Sequence, residues 1–144
     1  MDAIARMGVI FLGRRRLHAE NVRPYGLTLK QLFLLQWARA EGALSPSEAA
    51  RLLFCDRPTA TVIVSNCVKK GWLARRRSTE DGRAVVLELS EEGRALLARV
   101  EAEDRLDSGI GDPLDVLGAE EREAFEASLK KVYRRANELF GKGA

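Results

Sequence analysis

Residues 45–89 read SPSEAARLLFCDRPTATVIVSNCVKKGWLARRRSTEDGRAVVLEL, and this stretch decides the fold. Ser45 is suited to cap a helix, Pro46 to occupy its first turn, and Glu48 to reach back to the cap, so a short helix is expected over residues 47–53. Asp56 is a second N-cap ahead of Arg57-Pro58, and only a few residues separate the two helices. At Gly71 the helical pattern stops. Residues 72–77 then read as a strand, residues 78–82 as a turn containing Asp81-Gly82, and residues 83–89 as a second strand in which Val85, Leu87 and Leu89 alternate. Two capped helices in tandem, followed by a hairpin, form the pattern of a winged helix-turn-helix. Such a module lays its second helix in the DNA major groove and its hairpin beside it.

On a helical wheel of residues 57–70, Ala60, Ile63, Val64 and Cys67 recur at i, i+3, i+4 and i+7 and are expected to face the core. Pro58, Val62, Ser65 and Lys69 point the opposite way, flanked by Thr61 and Asn66. Short polar groups of this kind can approach base edges, and a small apolar one can meet a thymine methyl. A Thr/Ser/Asn face can equally be solvated; the basic hairpin beside it favours nucleic acid. Arg75, Arg76 and Arg77 could serve only to blunt a strand edge. Arg83, just past Asp81-Gly82, is placed at the tip and suits a narrow, electronegative minor groove. Lys69, Lys70 and the hairpin arginines are expected to neutralise phosphates.

The charge distribution agrees. From Arg51 to Arg83 there are eight basic and three acidic residues, a balance of +5 within a chain of net charge +3, so the rest of the molecule sums to −2. A chain of 144 residues with 46% hydrophobic side chains is long enough for one domain with a real core.

Working outward, residues 2–20 carry a helical stripe of Ile4, Met7, Ile10, Phe11 and Leu17, while Gly8 and Gly13 weaken intrinsic helicity. Pro24 and Gly26 mark a break. Thr28 and Gln31 form a capping box that opens a helix through Arg39, with Leu32, Leu35 and neighbouring aromatics expected inside. Ser90 caps a further helix with Leu96, Leu97 and Val100 on its apolar side, residues 108–118 read as a hinge, and a last helix over residues 119–140 aligns Phe125, Leu129, Val132, Ala136, Leu139 and Phe140. The expected fold class is therefore mainly α with a small β-hairpin wing. One domain spans residues 1–144, its winged module lies at 28–89, and helical dimerisation regions lie at 1–22 and 90–144. The terminal stripes exceed what one small module can cover, which points to a homodimer.

No apolar run is long enough to span a bilayer and no signal peptide is readable, so a cytoplasmic protein with no membrane partner is expected. An enzyme is disfavoured. His18 is the single histidine, and no metal-ligand spacing, phosphate-cradling loop or triad-like set is present; no metal and no cofactor are expected. A winged-helix scaffold that binds protein instead of DNA is the remaining alternative class.

The segments Gly26-Leu27-Thr28, Arg57-Pro58-Thr59-Ala60-Thr61, Lys70-Gly71-Trp72-Leu73 and Glu80-Asp81-Gly82-Arg83, followed by Leu89-Ser90-Glu91-Glu92-Gly93-Arg94, resemble the signature blocks of MarR-type transcriptional regulators, in order and over nearly the whole chain. The resemblance implies a homodimer with intertwined terminal helices, bound to double-stranded DNA at a pseudo-palindromic operator. It also implies relief by a small ligand, or by cysteine oxidation. It aligns Arg57, Thr59, Thr61, Ser65 and Asn66 with recognition-helix contacts, and Asp81 and Arg83 with the wing. Three departures stand out: Val62 occupies a position that is often polar, Trp72 replaces a smaller aliphatic, and the hinge is longer.

For signal input, Cys67 lies on the core side of its helix, whereas Cys55 precedes a helix N-terminus, where the dipole favours a thiolate, and is the redox candidate. Phe11, Tyr25 and Trp37 could line a pocket for a small aromatic or phenolic effector, with core packing as the simpler role.

Overall fold

The computed structural model describes residues 1–103 and 111–140. Its first helix, α1 (Ala3–Val22), starts where the Asp2 carboxylate accepts the Ala5 N–H at 2.8 Å. A 3-10 turn (Arg23–Tyr25) follows, closed by Gly26 at φ +71°, whose N–H bonds the Arg23 carbonyl. The left-handed backbone here explains the glycine. Helix α2 (Leu29–Glu41) opens on the Thr28/Gln31 capping box and α3 (Pro46–Leu52) on the Ser45/Glu48 box. Helix α4 (Arg57–Lys69) opens on Asp56, which accepts the Thr59 N–H at 2.7 Å. Strands β1 (Leu73–Arg77) and β2 (Val85–Leu89) pair antiparallel with Leu73 opposite Leu89, Arg75 opposite Leu87 and Arg77 opposite Val85. Ser90 caps α5 (Glu91–Ala102), and α6 (Ala119–Phe140) is the last helix. The winged helix-turn-helix is present as expected.

One apolar core joins α2, α3, α4, the hairpin and α5. Leu32, Leu34, Leu35, Leu87, Leu97 and Val100 are its fully buried centre. Ala60, Val64 and Cys67 turn inward from α4 and Ile63 is half-buried, which is the wheel read from the sequence. Burial of each large aliphatic side chain contributes about 1.5–3 kcal/mol, so this core is what holds two short helices and a two-stranded hairpin in place.

Three local expectations change. The α2 aromatics are not interior: Phe33 and Trp37 remain exposed, because the helix buries Leu29, Gln31, Leu32, Leu34, Leu35 and Ala38 instead. The hairpin tip is longer than the 78–82 turn expected, and the second strand starts at Val85, not at residue 83. Gly82 lacks a left-handed φ, and the tip runs over residues 78–84, with Ser78 N–H bonded to the Ala84 carbonyl and Ala84 N–H to Asp81. Finally, the hairpin has a third partner that the sequence reading missed. Leu44 and Leu87 exchange both backbone hydrogen bonds, at 2.9 and 2.7 Å, and this bridge ties the wing to the chain just ahead of α3.

The chain divides into two compact units between residues 110 and 111. In the first, α1 exposes Ile4, Val9, Ile10, Phe11, Leu12 and Leu17, and Val22 is its one buried residue. In the second, Asp112 accepts the Leu114 N–H at 2.9 Å and pairs with Arg122 at 2.7 Å, which orders the turn ahead of α6. Part of the expected hinge, residues 108–110, lies outside the described residues. Helix α6 buries none of its own side chains, and Phe125, Leu129, Val132, Leu139 and Phe140 are exposed. Among the described residues no helix is long and apolar enough to cross a membrane.

Candidate nucleic-acid interface

Helix α4 is presented by its two ends. At its start, hydrogen bonds from the Thr59 backbone and side chain hold the Asp56 carboxyl below its usual pKa range, so the cap stays ionised. At its end, Gly71 adopts φ +76° and the N–H groups of Gly71 and Trp72 return to the carbonyls of Val68 and Cys67. This left-handed finish turns the chain sharply into β1.

Along the outward face, Arg57, Thr59, Thr61, Val62, Asn66 and Lys69 are exposed and Ser65 is half-buried. Val62 alone is 59% exposed, an apolar side chain with no core role. The hydroxyls are not equivalent. Thr61 Oγ1 donates to the Arg57 carbonyl at 2.8 Å, which leaves its lone pairs and methyl group facing outward. Ser65 Oγ accepts from the Arg75 guanidinium at 3.1 Å, which leaves its own proton to give. Arg57 reaches back to Ser47 Oγ at 3.3 Å.

The hairpin sorts its arginines by strand alternation. Arg75 and Arg77 share the face of Leu73, the Arg75 side reaching α4 through Ser65; Arg76 lies on the other face in an ion pair with Glu88. That pairing lowers the Glu88 pKa and raises that of Arg76. Arg77 donates to the Gly82 carbonyl at 3.2 Å and steadies the tip. Asp81 accepts the Arg83 N–H at 3.1 Å, so its carboxylate shapes the tip and sets the direction of Arg83. Among the described residues, no protein group pairs with the Arg83 guanidinium or the Lys69 ammonium. Both are free to meet an anion. Lys70 differs from its neighbour: its ammonium donates to the Gly26 carbonyl at 2.5 Å.

The candidate input residues do not share one environment. Tyr25 is buried, its hydroxyl donating to Glu103 and its ring lying under Arg99 at 5.0 Å, whereas Phe11 is 56% and Trp37 37% exposed. Cys55 is half-buried against the core in the turn between α3 and α4. Cys67 is fully buried, and burial pushes its thiol up to about 11. No cluster of acidic, histidine or cysteine side chains able to hold a metal occurs among the described residues.

Comparison with known proteins agrees with this geometry. Residues 25–84 match the MarR family. The transcriptional regulator PecS of Dickeya dadantii is 31% identical over 111 residues, covering 75% of this chain and 66% of PecS. The chain spans about half to two thirds of the length of the curated relatives it matches. Among solved structures, a mutant MarR of Escherichia coli complexed with operator DNA is 25% identical, with a TM-score of 0.69 over 89% of this chain and 91% of that one. BpsR of Bordetella bronchiseptica, 22% identical with a TM-score of 0.72 over 92% of this chain and 93% of that one, shares the fold. The signature blocks, the winged helix-turn-helix built from them and these matches together make the chain a member of the MarR family.

Proposed function

We propose that this protein is a homodimeric, cytoplasmic repressor that binds a pseudo-palindromic operator through α4 and the β1–β2 wing and is released by a small aromatic ligand. The observation that carries the DNA reading is the joining of the two surfaces. Arg75 of the wing bonds Ser65 of α4, so the short polar face and the basic hairpin form one continuous surface. The MarR relative solved in complex with operator DNA supports DNA as the ligand. In this reading Thr61, Val62, Ser65 and Asn66 meet base edges, Arg57, Thr59, Lys69, Arg75 and Arg77 meet the backbone, and Arg83 enters the minor groove with Asp81 steering it.

The test compares helix with wing in a binding assay across salt concentrations and operator variants. Asn66→Ala relaxes preference at particular base pairs, with a loss on the order of 1–3 kcal/mol for a good bidentate contact. Arg83→Ala weakens binding to most sequences and lowers the salt slope by about one unit, leaving major-groove preference nearly intact. If Arg83→Ala binds as tightly as the parent, the hairpin is not a DNA-binding wing.

A further inference from the structure

Lys70 and Lys69 are adjacent at the end of the recognition helix, yet they are committed to different tasks. Lys69 has no protein partner among the described residues, while the Lys70 ammonium donates to the Gly26 carbonyl at 2.5 Å and sits 4.6 Å from the centre of the Trp72 ring. Each end of this bridge is itself held. Gly26 closes the 3-10 turn that joins α1 to α2, between buried Tyr25 and buried Leu27. Trp72 donates its N–H to Cys67, accepts the Ser90 N–H on its carbonyl, and packs its half-buried ring against the core at the root of β1. The cation also lies at the C-terminus of α4, where the helix dipole favours positive charge.

We infer that Lys70 is a positioning residue for DNA binding: its ammonium pins the end of the recognition helix to the α1–α2 junction on one side and to the wing root on the other, and it neutralises no phosphate. The inference rests on the DNA-binding reading of α4 and goes beyond it. Three elements that must keep a fixed mutual geometry on the duplex meet at one side chain. Without the pin, α4 and the wing sample orientations in which only one of them fits its groove. Apparent operator affinity then falls with the fraction of molecules that hold the competent arrangement.

The experiment uses the full chain with four substitutions, Lys70→Met, Lys70→Arg, Trp72→Phe and Lys69→Ala, and reads three quantities for each: operator affinity, affinity for a non-operator duplex, and the salt slope. Active fraction is fixed by stoichiometric titration, so a loss of folded protein is not mistaken for a loss of affinity. Lys70→Met is expected to weaken operator binding by up to about tenfold, the scale of one charge-assisted hydrogen bond. Its non-operator binding and salt slope stay at the parent values. Lys70→Arg restores the operator affinity because it keeps a cationic donor, and Trp72→Phe preserves most of it because it keeps a ring face. Lys69→Ala lowers the salt slope by about one unit. The inference is overturned if Lys70→Met lowers the slope as Lys69→Ala does, which makes Lys70 a phosphate contact, or if it leaves the ratio of operator to non-operator affinity unchanged. Should Lys70→Met not fold, Lys70→Gln is read by the same criteria. A parent protein whose affinity does not change with salt and is equal for the two duplexes would instead remove the DNA reading itself.

Discussion

Phe54 is the one non-glycine residue with a positive φ among the described residues, at +49°, and its ring is 68% exposed. A bulky side chain in the left-handed region costs roughly 1–2 kcal/mol, and here no burial of the ring offsets it. The turn between α3 and α4 imposes that backbone, since the Phe54 and Cys55 N–H groups bond back to Arg51 and Ala50. Phe54→Asn, which tolerates the same φ, is expected to stabilise the protein by about 0.5–1 kcal/mol and raise Tm. A lower Tm at equal protein concentration would show that the ring does contribute packing. Cys67 sets a second expectation at this scale. Its folded pKa, about 11, exceeds the ordinary value of 9.0, so the fold prefers the neutral thiol. The stabilisation is intact below pH 9 and is lost as pH rises toward 11, because the unfolded thiol ionises first; its ceiling is roughly 3 kcal/mol. Urea unfolding of the parent and of Cys67→Ala across that window should therefore converge as pH rises. A constant difference between the two would contradict the buried thiol.

At the scale of the element, legibility followed locality. The Thr28, Ser45, Asp56 and Ser90 caps are readable because each is a side chain bonding an N–H three residues away, and all four appear in the structure. Interactions across the fold were not readable. The Leu44–Leu87 bridge joins residues far apart in sequence, and nothing in the sequence around Leu44 distinguishes a paired residue from a loop residue. Lys70 likewise looked identical to Lys69 until the fold brought Gly26 within reach. The Asp81-Gly82 signal locates the turn but not its end, since the bond that closes the tip, from the Ser78 N–H to the Ala84 carbonyl, lies two residues beyond it. Gly93 is an intermediate case. Its place in the Leu89–Arg94 block was visible, but its physical reason is not: a Cβ there would lie 2.2 Å from the Trp72 carbonyl oxygen and 2.7 Å from Leu89 Cδ1. The start of α5 thus presses directly on the wing root, and the Trp72 carbonyl cannot yield because it also accepts the Ser90 N–H. Gly93→Ala is expected to cost about 1–3 kcal/mol through this overpacking, read as a lower denaturant midpoint with an unchanged m value.

For the molecule as a whole, the informative fact is how much apolar surface a single chain leaves uncovered. Helix α1 buries one residue and α6 none, while Ile4, Ile10 and Phe11 on the first, and Leu139 and Phe140 on the second, are each more than half exposed. Soluble monomers rarely tolerate contiguous patches of this kind, whereas interfaces require them. The α1 stripe cannot be explained by helix propensity either, since Gly8 and Gly13 lower it and each has open space where a side chain could stand. The proposed association of two copies would cover both helices at once and would also supply what DNA recognition needs. Two recognition helices in one dimer meet successive major grooves from the same side of the duplex, about 10 base pairs apart. Sedimentation at micromolar concentration should therefore give a dimer, and a footprint should show two half-sites at that spacing. Leu129→Asp places an unpaired charge in the proposed interface, so it should dissociate the dimer and abolish the paired footprint, while the α2–α5 core, which lies in the other compact unit, keeps its far-UV signal. A parent that sediments as a monomer, or a Leu129→Asp protein that stays a dimer with an intact footprint, would move the interface away from this face.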